Sequence, residues 1–167
     1  MAPDGGHAGK DWGVERESYL DPVTGVRVTE LATVGTSDNL YFHVSNFTAD
    51  NRYVLVSSTR TGQRQFYRAQ VETGGLVQLT ADPSDNLRGL LPDHTNACSA
   101  FVMRGADVIA LDIVDFTERE IGTIPGPHVG GFQQPSLSGD GYVQFHTGRT
   151  REAVAIIDLL GLPPLRW

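Results

Sequence analysis

Three turn aspartates, Asp50, Asp93 and Asp140, stand 43 and 47 residues apart, and each is followed by short strand-like runs in the same order. A period of about 40–50 residues built from short strands is the spacing of four-stranded propeller blades. In the first copy, Asp50-Asn51 is a turn pair, because both residue types tolerate the left-handed backbone of a tight turn. Tyr53 to Ser58 is then a β-rich apolar run, and Thr61-Gly62 turns again. Phe66 to Val71 alternates, with Tyr67, Ala69 and Val71 on one face and Phe66, Arg68 and Gln70 on the other. That period of two predicts a half-buried strand. Thr73-Gly74-Gly75 gives the next turn, and Leu76 to Thr80 follows with Val77 and Leu79 in phase.

The second copy opens at Leu91-Pro92-Asp93 and runs through Ser99 to Arg104, Asp107 to Ile113 and Thr117 to Ile124. The third opens at Leu137 to Gly141 and continues with Tyr142 to His146 and Ala153 to Leu159. An earlier fragment, Asp21 to Gly25 followed by Val26 to Leu31, reads as the last strand of a blade whose other strands are missing. The recurrence predicts an all-β fold, a partial β-propeller of about three blades of four-stranded antiparallel sheet. The repeats fall near 40–80, 86–124 and 130–159 within an incomplete propeller over 17–159. A flexible tail is expected over 1–16 and an atypical tail over 160–167. An open β-meander or sandwich is the alternative; turn chemistry and apolar strand order recur together, which favours the propeller.

Composition narrows the partners. The net charge of −7 argues against nucleic acid or an anionic membrane as partner. No apolar run approaches the length of a membrane-crossing helix, and Met1 to Gly13 lacks the apolar core of a signal peptide, so a cytoplasmic setting is expected. Cys98 is the one cysteine and reads as a small buried thiol in a strand-like run.

Family likeness enters through Tyr19-Leu20-Asp21-Pro22-Val23-Thr24-Gly25, Val28 to Leu31, Leu40-Tyr41-Phe42, Phe47 to Asp50, Ser58 to Gly62 and Gln78-Leu79-Thr80. In that order these residues resemble the N-terminal half of the oligogalacturonate lyases, over residues 17 to about 159. The Asp50 signature by itself is shared with TolB-like propellers. The resemblance implies a seven-bladed propeller that acts in pectin degradation by β-elimination of short galacturonate oligomers, with a divalent metal, typically manganese. The family's metal-binding histidines and its base lie in later blades, so no catalytic or metal residue carries over to this chain.

Elimination next to a carboxylate requires that the carboxylate charge be neutralised and that a base take the neighbouring proton. The residues that bear on substrate binding lie on the innermost strand of each blade and the loop before it, here Asp38 to Val44, Asp85 to Leu91 and Val129 to Leu137. Asn39 stands with Asp38 where family members often carry histidine or arginine. Asn86 matches the family's Asp-Asn pair. Arg88 is either a bidentate partner for a sugar carboxylate or a solvated loop arginine. Tyr41 is placed to stack on a sugar ring, unless it is the member of the Tyr41-Phe42 pair that turns to the core. His43 and His128 adjoin channel-facing segments. No two of the five histidines lie at a short ligand spacing. Arg60 and Arg64 flank a hairpin turn expected to point outward as solubility charges.

After Leu159 the pattern calls for a polar turn, but Leu160 to Trp167 is apolar and broken by prolines. A truncated product is one expectation, with exposed blade edges that favour self-association. A non-catalytic TolB-like module that binds a protein or glycan is the competing reading.

Overall fold

A computed structural model describes residues 7–40, 44–84 and 87–123 in full, and beyond them the backbone of three further strands. Every element among the described residues is a strand. The chain runs β1 (Asp11–Val14), β2 (Glu17–Leu20), β3 (Arg27–Glu30), β4 (Ser37–Asn39), β5 (Tyr53–Ser58), β6 (Gln65–Gln70) and β7 (Gly75–Gln78). It continues with β8 (Leu87–Pro92), β9 (Ser99–Arg104), β10 (Asp107–Asp112), β11 (Glu118–Thr123), β12 (Ser136–Leu137), β13 (Tyr142–Thr147) and β14 (Ala153–Asp158). No helix among the described residues is long and apolar enough to cross a membrane.

Sheet order follows chain order. The first full blade is β4–β5–β6–β7 with β1 added outside β7, and the second is β8–β9–β10–β11. A third sheet orders β12–β13–β14, and β2–β3 form a hairpin of their own. Each pairing is antiparallel. The strands fall where turn chemistry placed them, within a residue or two of the expected bounds.

A five-residue turn recurs as well. Gly25 N–H donates to Asp21 C=O, Gly74 N–H to Gln70 C=O and Phe116 N–H to Asp112 C=O, at 2.9, 2.7 and 3.0 Å. The closing residue is left-handed in all three, with φ of 71°, 79° and 61°. Asp21 caps its turn by accepting from the Val23 and Thr24 amides, and Asp112 does the same for Val114 and Asp115. These bonds hold the Asp21 carboxyl below its ordinary value, the Thr24 hydroxyl contributing most. This turn joins the third and fourth strands of each full blade. By it, β2 and β3 are the third and fourth strands of another blade, where the sequence showed only the last.

Strand β6 is buried on both faces, not half-buried. Tyr67 and Ala69 pack with Leu76, Trp12, Leu31 and Val56. On the opposite face Phe66 joins Leu40, Leu55 and Leu79, and these meet Leu87, Leu90, Val102, Ile109, Leu111 and Ile113 of the second blade. Alternation misleads here because a blade is packed between neighbours and both faces are interior. Arg68 belongs to that second face: it donates to Ile113 C=O and lies over the rings of Tyr53 and Phe116 at 4.7 and 5.2 Å.

The tail expected over 1–16 is in part a strand. β1 pairs with β7, Asp11 opposite Val77, and Trp12 stands edge-on to Tyr67 with ring centroids 6.5 Å apart. Apolar burial of Trp12 and the β7 edge supply what the Gly-rich composition hid. The Arg60 expectation is corrected as well: its guanidinium is buried against Glu15, donates to Val34 C=O and lies over Trp12 and Tyr67. Cys98 is half-buried and sits in the turn before β9 rather than within a strand. The expected tail at 160–167 lies outside the described residues.

Candidate functional site

The blade order makes β4, β8 and β12 the inner strands, each hydrogen-bonded along one side only among the described residues. Two of the six candidate residues lie on them. Asn39 ends β4 opposite Val56 and is exposed, beside exposed Asp38. Arg88 is in β8 opposite Met103, and is half-buried rather than a loop residue. Tyr41, His43, Asn86 and His128 lie outside the described residues.

The geometry of β8 explains how Arg88 is presented. Its pairing with β9 shifts register between Arg88 and Leu91, and Gly89 between them has a φ of 59°. A bulge of this kind bends the strand and re-aims its side chains. Leu87, Leu90 and Leu91 are thereby buried, with at most 1% of their surface exposed, while Arg88 keeps an accessible side. Its Nη1 donates to Leu87 C=O at 2.6 Å, which fixes the stem. Arg88 is the one cation on the inner strands among the described residues, and Asp38 the one carboxylate. Ser37, also on β4, holds a buried hydroxyl with no hydrogen-bond partner.

The connector into β8 is pinned to the second blade. Asp82 accepts from Arg104 at 2.6 Å, and Arg104 reaches Glu118 at 2.8 Å with its other nitrogen. Burial alone would raise the Asp82 carboxyl, but Ser84 and the Arg104 guanidinium hold it below its ordinary value. Among the described residues no three His, Cys, Asp or Glu side chains converge to hold a metal ion.

A cluster of charge and aromatic rings lies elsewhere, beside β1, where Glu15, Arg60, Trp12 and Tyr67 meet. The sequence signal for it was Trp12, an aromatic residue inside a Gly-rich segment. Its charges satisfy each other and the chain around them, so it is a structural joint.

Antiparallel four-stranded sheets laid side by side on a shared core, in chain order and with the first strand innermost, are blades of a β-propeller. Solved structures show the same architecture. An oligogalacturonate lyase in complex with manganese matches 84% of this chain at TM-score 0.72 and 23% identity, covering 38% of that protein. An oligogalacturonate lyase from Vibrio parahaemolyticus matches 83% at TM-score 0.62 and 19% identity, over 37% of its length. TolB from Acinetobacter baumannii matches 84% at TM-score 0.56 and 14% identity, over 34% of its length. The chain thus spans less than half the length of these propellers. The likeness carried by the turn and strand motifs is found again in the arrangement of the blades. No protein-family model and no curated protein sequence matches the chain.

Proposed function

We propose that this chain serves in an oligogalacturonate lyase-type propeller, a protein that cleaves short, pectin-derived galacturonate oligomers by β-elimination. The observation that carries the reading is the likeness of fold to the manganese-bound lyase, over 84% of this chain at TM-score 0.72. The motifs from Tyr19 to Thr80 point the same way. In such a reaction the sugar carboxylate must be neutralised before the neighbouring carbon gives up its proton. Among the described inner-strand residues Arg88 is suited to that task, because a guanidinium fork matches a carboxylate in a bidentate way. Asn39, exposed on the adjoining inner strand, would orient sugar hydroxyls. Manganese finds no ligand set among the described residues, so the part proposed for these residues is to bind and orient the anionic sugar.

The test is to incubate the purified chain with digalacturonate, with and without added manganese, and to follow the ultraviolet absorbance of the unsaturated uronate. Calorimetric binding of digalacturonate without product is expected if these residues bind and orient the sugar while other residues supply the base and the metal ligands; metal-dependent product would mean that the chain carries the reaction itself. A second reading, a non-catalytic module that binds a protein or glycan, draws on the likeness to TolB. A folded chain with neither product nor digalacturonate binding would overturn the lyase reading and leave the second.

A further inference from the structure

The segment 9–16 touches three successive blades. Gly9 lies against the second blade. Its φ is 84°, and a Cβ built there would stand 3.1 Å from the Phe116 ring of the β10–β11 turn. Glycine suits both the left-handed backbone and that close approach. On the first blade, Gly9 N–H donates to Gln78 C=O at 2.8 Å and Gln78 N–H donates to Lys10 C=O at 2.9 Å. The Trp12 indole N–H then donates to the Gln78 side chain, and its ring stands against Tyr67. The third contact is with the connector that leaves the β2–β3 blade. There the Glu15 carboxylate accepts from the Val34 amide, and the Glu15 carbonyl accepts from the Thr33 hydroxyl.

The hold along the segment is uneven. Within β1 the register pairs Asp11 with Val77 and Val14 with Gly75, and it shifts between them. Gly13, at φ 83°, lies in that irregular stretch, and Val14 is 68% exposed. The β1–β7 ladder is therefore short, and side chains carry much of the attachment: Trp12 on Tyr67 and Glu15 on Arg60. Arg60 carries the second of these inward. Its amide and Nε both donate to Ser58 Oγ, which donates to Thr36 C=O just before β4. We propose that the segment 9–16 is a strap that latches the three blades together and opens as one unit. The β10–β11 turn of the second blade and the connector into β4 are then held or released together. A segment with a short ladder and a few strong attachments opens locally, at a lower free energy than the sheet it lies on. Its two ends are coupled because the same short backbone fixes the placement of Gly9 on Phe116 and of Glu15 on Arg60.

Native-state amide hydrogen exchange on the full chain, followed by NMR, tests this. The Gly9, Gln78 and Val34 amides report on the strap, while those of Leu55 and Val71, bonded to the Asn46 and Arg52 carbonyls, report on the first blade itself. In wild type the three strap amides are expected to share one protection factor to within about threefold, at least about tenfold below those of Leu55 and Val71. Glu15→Gln keeps the shape of the side chain and removes its charge from the Arg60 guanidinium. It should lower the protection of Gly9 and Gln78 by the same factor as that of Val34, about tenfold or more. If that variant does not fold, Gly9→Val disturbs the Phe116 end instead and should lower Val34 and Gln78 by one common factor. Strap amides as well protected as Leu55 and Val71 in wild type overturn the proposal. So does a folded variant in which exchange quickens only at the substituted end.

Discussion

Arg60 holds Glu15 through both ends of its guanidinium, Nη1 on Oε1 and Nη2 on Oε2, across 45 residues of sequence. The two side chains are 4% and 9% exposed. Glu15 also accepts from the Val34 amide, and its carbonyl accepts from the Thr33 hydroxyl. The pair thereby joins β1, the connector into β4 and the β5–β6 loop. Removing one partner of a buried pair leaves the other charge uncompensated, at a cost of about 3–5 kcal/mol. Arg60→Ala and Glu15→Ala are each expected to lower stability by about that amount. Urea titration of the double substitution should show far less than the sum. Additive losses would mean that the contact does not stabilise the fold.

The left-handed turn position gives a comparison within one molecule. At Gly25 an added Cβ meets nothing within 4 Å, whereas at Gly74 it falls 2.2 Å from the Cβ of Arg16. Gly25→Ala therefore carries only the backbone cost, about 1–2 kcal/mol. Gly74→Ala adds a clash that forces β1 and its following residues away from β7. The loss is expected to be clearly larger at Gly74, with Trp12 fluorescence shifting to the red only in that variant. Equal losses would contradict the close approach of Arg16.

Phe116 occupies the same position with a side chain, at φ 61°. Its ring packs against the shared core and under the Arg68 guanidinium, which offsets the strain. Phe116→Ala loses the ring and keeps the strain; Phe116→Gly loses the ring and relieves it. The glycine variant should therefore be the more stable of the two by about 1 kcal/mol, against the usual order. Thermal melts of both variants check this, and an alanine variant equal to or better than glycine would refute it.

The turns were legible in the sequence because their chemistry is local. Asp21, Asp50 and Asp93 each satisfy amides within three residues, so most of the strands that follow them could be placed from turn residues and alternation. What could not be read was anything decided by a neighbour distant in sequence. β6 alternates as if one face met water, but Phe66 faces the second blade. Arg60 looks like a hairpin surface charge until β1 brings Glu15 to it. Among the candidate residues, the residue type of Arg88 and its place in the repeat were legible, while the bulge at Gly89 beside it left no local mark beyond the glycine.

Acid sensitivity should concentrate in the turn carboxylates. The Arg52 amide, then the Thr48 hydroxyl, hold Asp50 down to a pKa of about 2. The unfolded chain titrates near the ordinary aspartate value of about 3.9. A depressed folded pKa contributes stability above the unfolded value and loses it as pH falls toward the folded one. Asp21 and Asp82 shift in the same direction. Between about pH 4 and pH 2 the urea midpoint of wild type should fall more steeply than that of Asp50→Asn, which has no proton to take up. Parallel curves would show that Asp50 does not contribute.

Arg88 offers the sharpest test of the sugar-binding reading. A bidentate contact to a carboxylate depends on the planar fork, not on charge alone. Arg88→Lys keeps the charge and loses the fork, and Arg88→Ala loses both. Binding of digalacturonate by calorimetry should weaken about tenfold in the lysine variant and further in the alanine variant, following a loss of about 1.5–3 kcal/mol for a charge-assisted bond. Leu87, Leu90 and Leu91 anchor β8 from the other side, so the fold should survive both substitutions. Asn39→Ala, at an exposed strand end, should weaken binding less. An affinity unchanged by Arg88→Ala in a folded protein would remove Arg88 from the sugar site and leave it a strand residue that bonds the Leu87 carbonyl.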